Sequence, residues 1–190
     1  MENLIKIAKE HGLTNDLIDQ LLNISTIEKI KNKTVLLDYG EKTNKIYYIL
    51  KGGFVTKAWN EEKQIEKTIS FNLNSFHPHM TEAKAYFFNL ESENKIQAIS
   101  NATVLSYYKS DLDKIASENN SFNKFSNHMI IQSLISENQL RSKLLTYSPK
   151  KFYTYLLDEH PEISKTIPSK DIASFLGISE VWMSNIKHDL

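Results

Sequence analysis

The pattern of side chains changes period at Ser110, and no other feature constrains the fold as strongly. From Lys33 to Lys109 the chain reads as short runs rich in β-branched and aromatic residues: "TVLLDYG", "KIYYILKGG", "FVTKAW", "EKTISF", "KIQAIS" and "TVLSYYK". Such runs fit pleated, half-buried strands. Gly40 and the Gly52-Gly53 pair punctuate them, and "NEEKQ" between Trp59 and Ile65 reads as a polar hairpin loop. After Ser110 the apolar spacing is helical to the end. Strands followed by helices point to an α+β chain. Many short strands at regular spacing predict a β-roll, a jelly-roll-like barrel of two sheets. Ahead of the strands, Leu4, Ile5, Ala8, Leu17, Ile18, Leu21 and Leu22 recur at helical spacing, and this texture is read as continuing to Ile30, with Thr14 or Asn15 as a cap.

In the helical half, "SDLDKIAS" predicts a short helix and Ser121 to Leu145 a long one. The long helix carries a broad, ragged apolar stripe rather than a heptad seam. Packing on its own barrel and sharing between two subunits both fit that stripe. "YSP" at Tyr147–Pro149 breaks the chain. "KKFYTYLLDEH" follows as a helix ended by Pro161, and "PEISKTIPSK" as a connector. These divisions give three parts: a barrel with N-terminal helices over 1–110, a hinge and long helix over 111–146, and a terminal unit over 147–190.

The last twenty residues, "DIASFLGISEVWMSNIKHDL", carry the sharpest local signal. A helix-turn-helix needs a small residue where its helices touch, a residue tolerant of left-handed geometry at the turn, and apolar clamps on both helices. Ala173, Gly177 and the set Ile172, Leu176, Ile178, Met183 and Ile186 meet those needs, with Ser169 or Ser179 able to cap. An ordinary helical hairpin would use some of the same residues. The exposed face of the second helix would present Glu180, Val181, Ser184, Asn185, Lys187 and His188. An amide such as Asn185 can bond adenine in two places, Val181 can touch a thymine methyl, and Ser184 and Lys187 suit phosphates. With Ser169, Lys170 and Ser179 at the helix starts, these residues form the candidate DNA-binding set. From Arg141 onward, seven basic residues face six acidic ones. So small an excess predicts weak binding per subunit, and therefore a dimer.

Composition removes other chemistries. The chain of 190 residues has no cysteine, which excludes disulfides, thiolate nucleophiles and cysteine-held metals. Lys+Arg and Asp+Glu are both 23, so bulk charge selects no partner. No apolar run suits a membrane span, and "MENLIKIAKEHGL" lacks the apolar block of a signal peptide, so the chain is expected to be cytoplasmic. The glycines are too dispersed for a phosphate-binding loop. "HPHMTE" places His77, His79 and Glu82 close together and raises a cupin-like metal enzyme as an alternative. The flanking glycines and the downstream histidine of that motif are missing, and Pro78 interrupts the strand. Tyr86-Phe87-Phe88 can line an apolar cavity or pack in a core. No catalytic residue, metal or cofactor is assigned.

Three stretches carry a family resemblance: "LLDYGEKTNKIYYILKGGFVTKAW", "KIQAISNATVLSYYKSDLDKI" and "IPSKDIASFLGISEVWMSNI". They resemble, respectively, the glycine-punctuated first strands, the last barrel strands with hinge helix, and the DNA-binding end of Crp/Fnr transcription regulators. The short C-terminus without a wing is similar to variants common among Bacteroidetes. The resemblance implies a homodimer joined along the long helix, binding double-stranded DNA under control of a small-molecule effector in the barrel. The candidate pocket is Phe71, His79, Glu82, Tyr86, Ser92 and Asn94. Cyclic-nucleotide binders of the family carry a Gly-Glu pair followed by an arginine that grips the phosphate. Here Glu82-Ala83 and Ser92 stand at those places, and no Arg or Gly occurs between Phe71 and Ala98. The barrel is therefore expected not to bind cyclic AMP in the family manner. Many relatives also have Glu and Arg where Val181 and Asn185 stand, so a different target sequence is expected. The alternative is a partner-binding scaffold with a degenerate sensor.

Overall fold

The computed structural model describes residues 1–189; Leu190, the end of the expected terminal unit, lies outside the described residues. Two short amphipathic helices, α1 (Glu2–Glu10) and α2 (Asn15–Asn23), open the chain, and the Thr14 hydroxyl caps α2 by accepting from the Leu17 N–H. Eight strands follow, interrupted by one helix: β1 (Thr26–Ile30), β2 (Val35–Leu37), β3 (Lys45–Lys51), β4 (Gly53–Asn60), β5 (Ile65–Leu73), β6 (His79–Met80), α3 (Ala83–Phe88), β7 (Asn94–Ala98) and β8 (Ala102–Tyr108). They form two four-stranded antiparallel sheets, ordered β1-β8-β3-β6 and β2-β7-β4-β5. Ile49, Phe54, Ile96, Met80 and Val104 fill the space between them. This is the β-roll the strand spacing predicts. Gly52 makes the β3–β4 turn at φ +86°, and a Cβ there would stand 2.7 Å from the backbone of Ala102, so only glycine fits.

The helical half comprises α4 (Lys109–Glu118), α5 (Asn120–Thr146), α6 (Pro149–Glu159), α7 (Pro161–Thr166), α8 (Ser169–Leu176) and α9 (Glu180–His188). Three expectations are corrected. Thr26–Ile30 is a strand, not a continuation of the N-terminal helices. The apolar stripe stops at Leu22, and the β-branched residues of "TIEKI" pair along β8 while Glu28 accepts from Lys45 Nζ at 2.9 Å. "PEISKT" is a helix rather than a connector, because Pro161 occupies the first turn, where its missing N–H costs nothing. Ser169 does not cap α8: Pro168 is the N-cap, and the Ser169 hydroxyl accepts from Lys187 instead.

Hydrophobic packing joins the two halves. Val55, Phe71, Leu73 and Phe76 of the barrel share one buried cluster with Phe152, Leu156, Ile163, Ile172, Phe175 and Met183 of the terminal helices. A second cluster packs α1 and α2 against Ile115, Phe122 and Phe125 of α4 and α5. The middle of α5 stays uncovered: Ile130, Ile131, Leu134 and Ile135 are between 44% and 60% exposed.

Candidate functional site

The terminal unit is built as its sequence dictates. Gly177 ends α8 at φ +70°, with Ile178 N–H bonding back to the Ala173 carbonyl at 3.0 Å. The left-handed residue turns the chain through the tight angle between α8 and α9. Ala173 is 1% exposed and Ile172, Met183 and Ile186 are buried, so the small residue and the clamps occupy the helix–helix contact. The Ser179 hydroxyl caps α9 by accepting from the Trp182 N–H at 3.1 Å. Ser169, Lys170, Ser179, Glu180, Val181, Ser184, Asn185, Lys187 and His188 are all exposed. Glu180 and Val181 begin α9, while Lys187 lies in its last turn over the ring of Tyr153. A cation the sequence alone did not place here is Lys67 of β5, whose Nζ stands 3.8 Å from where a Cβ on Gly177 would lie.

α8 is held on the barrel by a clamp. A bulge at Ile69 of β5, between the Ser70–Thr56 and Thr68–Lys57 pairs, breaks the regular ladder next to Thr68. Its backbone N–H donates to Ser174 Oγ at 2.9 Å, and its hydroxyl donates to Asp171 Oδ1 at 3.2 Å. Thr68 and Asp171 are 1% and 5% exposed. Beside them Phe175 packs on Phe71, ring centres 4.7 Å apart.

A polar cavity of about 560 Å³ opens next to that clamp, between β4, β5, β6, α5 and α8. Lys67, Thr68, Ser70, Asn72, His77, Glu82, Asn94, Glu137 and Arg141 line it, with Phe175 at its α8 end. Arg141 is the chain's sole arginine. Of the six candidate pocket residues, His79, Glu82 and Asn94 face this cavity. Tyr86 lies on the far side of β6, in a separate apolar cavity that His79 also lines. Phe71 is buried in the cluster shared with the terminal helices, and Ser92 turns its hydroxyl to the backbone of Asn94. The Glu82 carboxylate caps α3 by accepting from the Ala85 N–H.

The histidines separate. His77 sits in a left-handed turn at φ +53° and reaches α5, with Nδ1 2.8 Å from Glu137 Oε1 and Nε2 2.7 Å from Ser136 Oγ. His79 lies in β6, and burial lowers its pKa to about 4, leaving it neutral. All three residues of the motif border the polar cavity, but His77 is engaged by Glu137 and Ser136, the His79 ring packs on Tyr48, and Glu82 caps α3. Among the described residues no group of three or more His, Asp or Glu could hold a metal ion.

Solved structures align over almost the whole chain. The c-di-GMP-responsive global regulator CLP of Xanthomonas campestris matches with a TM-score of 0.69 at 12% identity, covering 93% of this chain and 91% of its own. FixK2 of Bradyrhizobium japonicum matches with a TM-score of 0.72 at 15% identity, covering 88% and 84%. A regulator assigned to the Crp/Fnr family from Eubacterium rectale matches with a TM-score of 0.67 at 13% identity, covering 93% and 83%. The chain has the Crp/Fnr fold. No protein-family model and no curated protein sequence matches it. The Crp/Fnr architecture of barrel, long helix and helix-turn-helix is thus kept at very low identity. Among the described residues no helix is long and apolar enough to cross a membrane.

Proposed function

We propose that this protein is a dimeric, cytoplasmic DNA-binding transcription regulator of the Crp/Fnr type. One observation carries the reading: α9 stands on a buried helix-turn-helix core with all its candidate reading positions in solvent. Two copies joined along Ile130, Ile131, Leu134 and Ile135 would bury an apolar stripe that a single chain leaves open. They would also double the small positive excess that one terminal unit offers to phosphates. The barrel does not grip a cyclic nucleotide in the family manner. Ser92 is committed to a backbone bond, Glu82 to a helix cap, and no cation projects from the α3–β7 stretch into the cavity. An effector lodged in the polar cavity would instead meet Arg141 of α5 and touch α8 at Phe175.

Fluorescence anisotropy with the protein's own upstream region and a random duplex, at several salt concentrations, tests the reading. Preference for the upstream duplex with a steep salt slope is the expected result. Weak, equal binding to both duplexes, unchanged by added small molecules that raise the melting temperature, would overturn it. That result would favour the partner-binding alternative, which the 73% exposure of Val181 and 50% exposure of Trp182 support.

A further inference from the structure

A second cavity, of about 480 Å³, lies outside the barrel. It separates the outer side of β3, β6 and β8 from α1, α2, α4 and α5. Leu4, Ile18, Leu22, Ile46, Leu112 and Met129 are among the apolar side chains of its wall. Protein cores leave few voids larger than a water molecule. An apolar space of this volume matches the size of small-molecule sites, not of packing defects.

Its chemistry differs from that of the polar cavity. No lysine, arginine or glutamate lines it, and its one carboxylate, Asp113, is engaged by Lys109. Neither a cation nor an anion would find a partner there, and desolvating one without a partner is costly. Tyrosine hydroxyls and the amides of Asn123 and Asn127 also border the space, and the ring of His79 stands among these polar groups. His79 packs edge-on against Tyr48, centroids 5.0 Å apart, and its ring nitrogens have no hydrogen-bond partner among the described residues. The neutral ring offers one N–H and one lone pair. Phe87 faces the same space, whereas Phe88 is turned to solvent.

We propose that this cavity binds an uncharged, mainly apolar small molecule whose one polar group hydrogen-bonds to His79. The site stands whether or not the chain reads DNA, and it adjoins the polar cavity, with which it shares His79, Met80, Thr81, Ala83 and Ser133. Occupancy would join α1 and α2 to α5 through a common ligand.

The test uses the full chain and N-phenyl-1-naphthylamine, a neutral aromatic probe. The chain's methionines are Met1, Met80, Met129 and Met183. Met129 borders this cavity alone, Met80 sits in the barrel core and borders both cavities, and Met183 is buried in the helix-turn-helix. With methyl-labelled methionine, saturating probe should shift the Met129 signal and leave Met183 unmoved. Fluorescence titration should give one site per chain, weakened tenfold or more by Ala116→Phe and unchanged by Phe88→Ser. Absence of saturable binding, a shift of Met80 without Met129, or loss of binding in Phe88→Ser would overturn the proposal. So would binding that disappears as the chain dimerises, which would show a second copy's side chains filling the space.

Discussion

The clamp between β5 and α8 makes a quantitative prediction. Thr68→Val keeps the shape of the side chain and removes the hydroxyl that donates to the buried Asp171 carboxylate. A hydrogen bond to a charged group contributes about 1.5–3 kcal/mol, and a buried carboxylate that loses its donor bears the desolvation cost directly. Destabilisation of about 2 kcal/mol is expected, which for a chain of this size corresponds to about 4–8 °C in Tm. Asp171→Ala removes the carboxylate itself, so the double variant should cost about 1–2 kcal/mol less than the sum of the singles.

The same clamp decides how the chain unfolds. The two tryptophans, Trp59 on the β4–β5 hairpin and Trp182 on α9, report the two halves separately in Trp59→Phe and Trp182→Phe backgrounds. Because Phe71 and Phe175 belong to one buried cluster, both reporters should follow a single urea transition, and Thr68→Val should move both midpoints together. A Trp182 transition well below that of Trp59 would refute the shared core. Additivity of Thr68→Val and Asp171→Ala within about 0.3 kcal/mol would refute the hydrogen bond.

Four further outcomes follow from particular residues. His79 has its pKa lowered from 6.5 to about 4 by burial, so between those values the unfolded chain binds more protons; stability should fall as pH drops through that window, by about 3 kcal/mol at most, and denaturation of His79→Phe should lose that slope. On the proposed function, Lys187→Ala should reduce the salt slope of DNA binding by about 1 and weaken all duplexes alike, whereas Asn185→Ala should cost about 1–3 kcal/mol on the preferred duplex alone. Leu134→Lys, at a position 60% exposed in the single chain, should turn a dimer into a monomer by light scattering without lowering helical content. Gly177→Ala meets no atom but Lys67 Nζ at 3.8 Å, so its cost is the left-handed backbone alone, about 1–2 kcal/mol by thermal melting, while Gly52→Ala adds a backbone clash and should lose far more.

What the sequence revealed and what it hid divide along one line. The long helix was legible to within a residue at each end, and the Ala173–Gly177 spacing located the turn, because helix period and turn chemistry are local properties. The β-roll was legible as a class from its punctuated strands. β1 was missed because α2 runs into it with only Ile24 and Ser25 between, and α7 because Pro161 reads as a stop when it is a start. The candidate pocket was split because the short β6 carries polar and apolar cavities on opposite sides. Its cations come from Lys67 and Arg141, far along the chain from Glu82. The one local hint was compositional: a chain with a single arginine places it on the cavity-facing side of its long helix. The clamp was beyond reach, since Thr68 meets Asp171 across 103 residues and Ser174 across 106.

β5 is where these features converge, and its geometry limits what an effector can do. Ser70 bonds Glu137 of α5 at 3.4 Å, Thr68 bonds two residues of α8, and both line the polar cavity. A ligand shifts an equilibrium only by its difference in affinity between two arrangements, typically 1–3 kcal/mol in coupled proteins. The hydrogen bonds of the clamp lie in that range, so a ligand competing for Thr68 or Ser70 is able to break them. The aromatic contact of Phe71, Phe175 and Phe152 does not lie in that range: truncating a buried Phe alone costs about 3–5 kcal/mol. Complete detachment of the terminal unit would therefore demand more than a ligand supplies. On the proposed function, regulation would therefore proceed by sliding α8 along β5 with its aromatic contacts kept. α9 would then move as a rigid extension of α8 through the Gly177 turn, and two such movements across a dimer would change the spacing of the reading helices.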